Sequence, residues 1–137
     1  RDLAAVGTEM LGLLAALFNA AAQAATPDLA GLAGAAARLA DPDGPPVPDV
    51  AAGAGMGYSA FRARFHAAFG MSPVRWRIQA RIRRAQEALL DPATPLADIA
   101  RACGWRDADR FGVQFRRECG LTPGAWRLRH VGRITRR

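Results

Sequence analysis

Lysine is missing from this chain altogether. Nineteen basic residues are all arginine, and beside them stand only two cysteines, two histidines and one tyrosine. Each scarcity removes a class of function. Cys103 and Cys119 lie sixteen positions apart with no CxxC pair, and His66 and His130 complete no zinc spacing. A disulfide-stapled fold is excluded by the same count, and both cysteines fall where helical patterns end, as reduced and buried small hydrophobes. No glycine-rich phosphate loop follows a strand pattern, and neither GxSxG nor HExxH occurs, so the common nucleotide, hydrolase and metalloprotease sites are absent. No metal, no cofactor and no catalytic group is expected. The one long apolar stretch, Leu3 to Ala24, is interrupted by Glu9, Asn19 and Gln23, which disfavours a membrane span. Asp2 and Glu9 also sit where a signal peptide would need a basic start.

The arginines are unevenly placed. Residues 1–44 hold two arginines against five acidic residues, net −3, whereas residues 45–137 hold seventeen against seven, net +10. A surplus gathered in one region is an electrostatic footprint for phosphate. The plainer alternative is a charged face that only keeps the protein soluble. High alanine and glycine content suggests that arginine replaces lysine for compositional reasons, as in a GC-rich bacterial genome. Arginine rather than lysine at any one position therefore carries little information.

The same part of the chain repeats itself. Phe61, Phe65, Gly70, Ser72, Pro73, Trp76 and Arg77 face Phe111, Phe115, Gly120, Thr122, Pro123, Trp126 and Arg127 at a constant offset of 50. Upstream the offset is 49, pairing Pro46, Asp49, Val50, Ala51 and Gly55 with Pro95, Asp98, Ile99, Ala100 and Gly104. The second copy thus carries one extra residue in its turn, and the whole is a duplicated supersecondary unit. Each copy reads as a short helix opened by proline, a glycine turn, and a second helix. Phe61, Phe65 and Phe69 stand at i, i+4 and i+8, as do Phe111, Phe115 and Cys119, forming one buried stripe per helix. Helix, glycine turn, helix is the pattern of the helix-turn-helix, whose second helix lies in the DNA major groove. Trp76 and Trp126 occupy matching positions and are expected to anchor the core rather than to stack on bases.

Residues Pro46 to His130 resemble the C-terminal DNA-binding domain of the AraC/XylS family of bacterial transcription regulators. The resemblance rests on DVAAGAGMGYSAFRARFHAAFGMSPVRW, on RIRRAQEALL, and on ADIARACGWRDADRFGVQFRRECGLTPGAWR. Within the last string Ile99, Ala100, Gly104, Asp107, Phe111, Phe115, Gly120, Thr122, Pro123 and Arg127 match together. It implies an all-α fold of two homeodomain-like helix-turn-helix subdomains joined by a long linker helix. The expected bounds are 27–72, 73–91 and 92–131 within a DNA-binding domain over 27–137, preceded by an extra apolar helix at 1–26. The apolar periodicity independently gives one helix over 73–90, whose eighteen residues at about 1.5 Å each span roughly 27 Å, near one DNA turn of ~34 Å. Its Arg75, Arg77, Arg81, Arg83 and Arg84 are expected to be solvated or paired with Glu87 and Asp91, with Arg81 structural.

Stepping 100° per residue from Phe61 puts Ser59, Arg62, Ala63 and His66 on the face away from the core; from Phe111 it gives Asp109, Arg110, Val113, Arg116 and Arg117. The resemblance maps its base-reading positions onto Ser59, Arg62 and Ala63, and onto Ala108, Asp109, Arg110 and Val113. The expected base contacts are therefore Ser59, Arg62, Ala63, His66, Ala108, Asp109, Arg110 and Val113. Arg62 and Arg110 are the best matched to guanine, Ala63 can offer only an apolar contact, and Asp109 can accept from cytosine. Asp109 can equally serve the helix dipole or pair with Arg106. Phosphate contacts are expected from Arg64, Arg77, Gln114, Arg116 and Arg117. Gly57 stands where the family usually has a hydroxyl cap, and Arg106, Ala108 and Arg110 replace small polar residues, so no particular DNA sequence can be transferred.

The N-terminal stretch puts Leu3, Val6, Met10, Leu14, Leu17 and Ala21 on one helical stripe. Because the chain opens on Arg rather than Met, residues 1–25 are expected to end a preceding sensor and dimerisation domain. These residues, or that domain, are the candidate surface for a homodimer. The resemblance implies a cytoplasmic, nucleoid-associated regulator, more often an activator, whose partners are double-stranded promoter DNA and RNA polymerase. The alternative is a basic helical module that binds nucleic acid or protein without sequence readout.

Overall fold

A computed structural model of the chain describes residues 11–15 and 27–135. Seven helices order the second of these stretches: α1 (Pro27–Ala40), α2 (Val47–Gly53), α3 (Tyr58–Phe69), α4 (Pro73–Leu89), α5 (Leu96–Ala102), α6 (Ala108–Cys119) and α7 (Pro123–Thr135). No strand occurs among the described residues. Residues 11–15 are helical, with Leu11, Leu13 and Leu14 exposed. The rest of the expected apolar helix at 1–26 lies outside the described residues.

Local sequence explains where the short helices start and stop. Proline opens both α2 and α5, from Pro46 and Pro95 in extended conformation, where a missing N–H costs nothing. Both helices end in the same way. Gly55 and Gly104 take φ of 76° and 102°, a region that side-chain-bearing residues avoid. The N–H of the following residue then reaches back to the helix, from Met56 to Ala51 O at 3.1 Å and from Trp105 to Ala100 O at 2.8 Å. Gly55 and Gly104 donate to Ala52 O and Arg101 O, so each turn is a Schellman cap that satisfies the last carbonyls. Helices α3 and α6 likewise end at left-handed glycines, Gly70 and Gly120.

The chain divides into two units, one holding the residues up to Leu39 and Pro45–Pro73, the other Ala40–Gly44 and everything from Val74 onward. In the first, α2 packs on α3, whose Phe61 and Phe65 are fully buried with ring centroids 5.6 Å apart. Leu32, Ala35, Leu39, Val50 and Ala51 are buried in the same unit. Phe69, expected in the stripe, is half-buried, its ring tilted against that of Phe65 with centroids 4.5 Å apart. In the second unit, α5 packs on α6 and α6 on α7. Its core joins Ile82, Ala85 and Leu89 of α4 to Ile99, Ala100, Cys103, Phe111 and Phe115, with Trp105, Cys119 and Trp126 packed against it. Phe115 meets Trp126 edge to face at 6.1 Å, which makes Trp126 a core anchor. Both cysteines are free; Cys103 is buried and Cys119 half-buried, and burial pushes both thiols up.

The repeat extends further than the sequence motif shows. Leu32, Ala35 and Leu39 of α1 stand 50 positions before Ile82, Ala85 and Leu89 of α4, and all six are buried. The turns that follow agree: Asp41 accepts from the N–H of Asp43, and Asp91, 50 positions on, accepts from that of Ala93, each at 3.0 Å. Helix α4 therefore carries two phases of the repeat. Its start, with Pro73, Trp76 and Arg77, matches the start of α7; its end matches α1.

Candidate nucleic-acid interface

The second helix of each hairpin, α3 and α6, buries its Phe pair and leaves the opposite face to solvent. Ser59, Arg62, Ala63 and His66 are exposed on α3, and Ala108, Asp109, Arg110 and Val113 on α6. All eight expected base-contacting residues are therefore accessible on these two helices. Arg64, Arg116 and Arg117 are exposed as well.

Two of the expected phosphate contacts are placed differently. Arg77 retains only 8% of its accessible surface, with Asp41 near its guanidinium, and burial lowers its pKa. A side chain so enclosed offers phosphate little. Gln114 is half-buried and donates to Glu118 Oε1 at 3.2 Å. Among the arginines of α4, Arg83 and Arg84 are exposed as expected, and Arg75 differs in its partner. Arg75 pairs not with Glu87 or Asp91 but with Glu118 of α6, donating from both terminal nitrogens at 2.5 and 3.0 Å. Those bonds hold the Glu118 carboxyl below the usual range. Asp91 is engaged instead by the Thr94 hydroxyl at 2.9 Å and the Ala93 N–H. The buried Nε of Arg81 lies where a Cβ on Gly104 would sit 2.7 Å away, a structural placement under the second turn.

The two helices begin with different chemistry. Gly57 opens α3 without a side-chain cap, whereas Asp107 opens α6 with its carboxylate accepting the Arg110 N–H at 2.8 Å. Such a cap stabilises a helix by about 1 kcal/mol over alanine, but by only a few tenths of a kcal/mol over a glycine such as Gly57. The same Asp107 lies 3.8 Å from Arg110 Nε, steadying that exposed guanidinium without covering it. Asp109 lies in the first turn of α6, where its charge favours the helix dipole.

Two residues on these surfaces escape a reading based on the Phe stripes. Tyr58, exposed in the first turn of α3, is the repeat-equivalent of Ala108, and that register was the available signal. Trp105 lines an open depression with Asp109, Arg110, Val113 and Gln114 on the outer side of α6. It follows the turn glycine directly, as Met56 does in the first copy. No group of three or more metal-ligating side chains occurs among the described residues, and no described helix is long and apolar enough to cross a membrane.

Two glycine-turned hairpins linked through a long helix, each with its second helix presenting an open polar face, define a double helix-turn-helix protein. Residues 33–129 match the family model described as a helix-turn-helix domain. The chain belongs to the AraC-type helix-turn-helix family. It is 40% identical over 70 residues to the HTH-type transcriptional activator RhaR of Klebsiella pneumoniae, covering 51% of this chain and 25% of that protein. RhaR of Salmonella arizonae is 38% identical over 66 residues, covering 48% and 23%. The chain spans about a quarter of the length of these relatives. Among solved structures it is similar to the DNA-binding domain of AdpA, determined in complex with a target DNA, at 29% identity and a TM-score of 0.67. That match covers 80% of this chain and 96% of the other. An AraC-type regulator from Chromobacterium violaceum shares the fold at 22% identity and a TM-score of 0.61, covering 74% and 89%.

Proposed function

We propose that this chain is the DNA-reading part of a sequence-specific transcription regulator, with α3 and α6 entering two successive major grooves of one duplex. The observation that carries the reading is the pair of exposed faces on repeat-related second helices, each bearing an arginine able to grip guanine. Seventeen arginines in the duplicated region supply phosphate attraction. The seventeen residues of α4, about 26 Å of helix, suit a spacing near one DNA turn. Arg62 and Arg110 read bases, with Ser59, Ala63, His66, Ala108, Asp109 and Val113 beside them. Arg64, Arg116 and Arg117 meet phosphates. The names of the RhaR relatives favour an activator. Work in the cytoplasm beside RNA polymerase, with a sensor or dimerisation domain ahead of residue 27, belongs to the same proposal.

The test is selection of bound duplexes from a random pool at about 150 mM salt, where nonspecific attraction is weakened. Two short elements about one helical turn apart are expected. Arg62→Ala and Arg110→Ala should each cost about 1–3 kcal/mol and relax preference at one base pair. Binding without any selected motif, or a uniform loss across sequences, would instead indicate a nonspecific basic module.

A further inference from the structure

Val113 is the misfit on the outer face of α6. The residue is 63% exposed, while the residues three and four positions away on that face are Asp109, Arg110, Arg116 and Arg117. A β-branched aliphatic side chain on an exposed helical face adds neither core packing nor helix propensity. What it can gain is apolar contact made on binding.

Beside it lies a second apolar surface. The indole of Trp105 is held 4.9 Å from the ring of Phe111, and the Trp105 backbone N–H donates to Ala100 O at 2.8 Å. Trp105 and Val113 line one open depression, whose remaining walls are Asp109, Arg110 and Gln114. The lining thus sets two apolar side chains beside three polar ones, on a helix whose polar residues are themselves suited to base edges. Of the groups that base pairs display in the major groove, the thymine C5 methyl is the apolar one.

We propose that the depression on α6 is a receptor for a thymine methyl, with Val113 and Trp105 as the residues that set a preference for A·T at one base pair of the second element. The inference rests on α6 being a base-reading helix and goes beyond it by naming the group recognised. The first copy offers no equivalent. Met56 and Ala63 stand in place of Trp105 and Val113, and its turn is one residue shorter. The Trp105–Val113 pair belongs to the second copy.

The experiment takes the duplex recovered by selection and replaces each thymine of its second element with deoxyuracil in turn, which removes one methyl group and nothing else. At one position the parent protein should bind about fourfold more weakly, the equivalent of about 0.8 kcal/mol for one buried carbon. Val113→Ala, which leaves one methyl and the indole at the site, should narrow the thymine-over-uracil preference there, while keeping its dependence on the guanine read by Arg110. Val113 is exposed, so this variant leaves the core untouched. If no thymine in the second element is sensitive to loss of its methyl, although Arg110→Ala still relaxes one base pair, the receptor is overturned and the regulator reading stands. Uracil discrimination that is undiminished in Val113→Ala overturns it equally. If no second element is recovered at all, the base-reading role of α6 fails, and the receptor with it.

Discussion

Removing Arg127 should destabilise the protein more than removing any exposed arginine. Its Nε donates to Leu89 O at 3.1 Å and one terminal nitrogen to Thr94 O at 2.7 Å. Leu89 is the last residue of α4, so its carbonyl is one of four that no intrahelical N–H can satisfy, and Thr94 O lies in the connection leading to α5. A single side chain on α7 thus closes one helix and holds the approach to the next. A hydrogen bond to a charged donor contributes about 1.5–3 kcal/mol, and with the side chain half-buried the pair should total about 2–4 kcal/mol. Arg127→Ala should show that loss. Arg127→Lys should lose about half, because an ammonium cannot reproduce the planar fork that serves two carbonyls at once. Urea unfolding followed by tryptophan fluorescence measures it, with Trp126 adjacent in sequence. The midpoint should fall while the slope stays constant. If Arg127→Ala unfolds within about 0.5 kcal/mol of the parent, as surface substitutions do, the fork is not a fastening and the reasoning is wrong.

Three further perturbations have opposite or contrasting signs. Gly55→Ala and Gly104→Ala both force a Cβ onto positive φ, at about 1–2 kcal/mol each, but only at 104 does the Cβ meet the Arg81 guanidinium, 2.7 Å from Nε. Thermal unfolding should therefore show Gly104→Ala worse by a further 1 kcal/mol or so, on the order of one buried steric conflict; equal losses would contradict the placement of Arg81. Gly34→Ala, on the exposed side of α1 with nothing within 4 Å of the added methyl, should stabilise by about 0.5–1 kcal/mol, read as a raised melting temperature. Glu118→Gln should cost about 0.5–1 kcal/mol at neutral pH, a figure kept low because Arg75 is nearly half exposed. Because the fork from Arg75 lowers the folded pKa of Glu118, that contribution is complete above the ordinary glutamate value of about 4.3. It disappears as pH falls through the lowered value. The gap between parent and variant should close in acid, and a gap independent of pH would show that the charge is irrelevant.

The two hairpins were legible because their signals are local. Prolines, turn glycines and Phe spacings are written within a few residues of the structures they specify, and the long helix expected over 73–90 occupies Pro73–Leu89. The match of α1 to the end of α4 escaped notice because it rests on Leu32, Ala35 and Leu39 against Ile82, Ala85 and Leu89, common residues in an alanine-rich stretch. Tertiary facts were hidden for a different reason. Arg75 and Glu118 are 43 positions apart, so no helical periodicity links them, and no spacing reveals that Asp91 is occupied by its own turn. The burial of Arg77 was hinted at only by its equivalence to Arg127, whose partners are backbone carbonyls that no side-chain pattern reveals.

The repeat holds its interior constant and lets its exterior diverge. Phe61 and Phe111, Phe65 and Phe115, Ala51 and Ala100 are identical pairs, and Val50 and Ile99 differ by one methylene; all eight are buried. A close-packed core tolerates little change in volume, which is reason enough for that likeness. The outward pairs do the reverse: Ser59 against Asp109, Ala60 against Arg110, Arg62 against Gly112, Ala63 against Val113, His66 against Arg116. None of these residues is buried, so packing does not decide them. Under the proposed function the two helices cannot prefer the same bases, because arginine, carboxylate and aliphatic groups fall at different heights along each. Nor are they equally held at their N-terminal ends, given the Asp107 cap on α6 and the bare Gly57 on α3. A single copy of the chain would then require an asymmetric site with a fixed direction, and a duplex with its two elements exchanged should bind no better than nonspecific DNA.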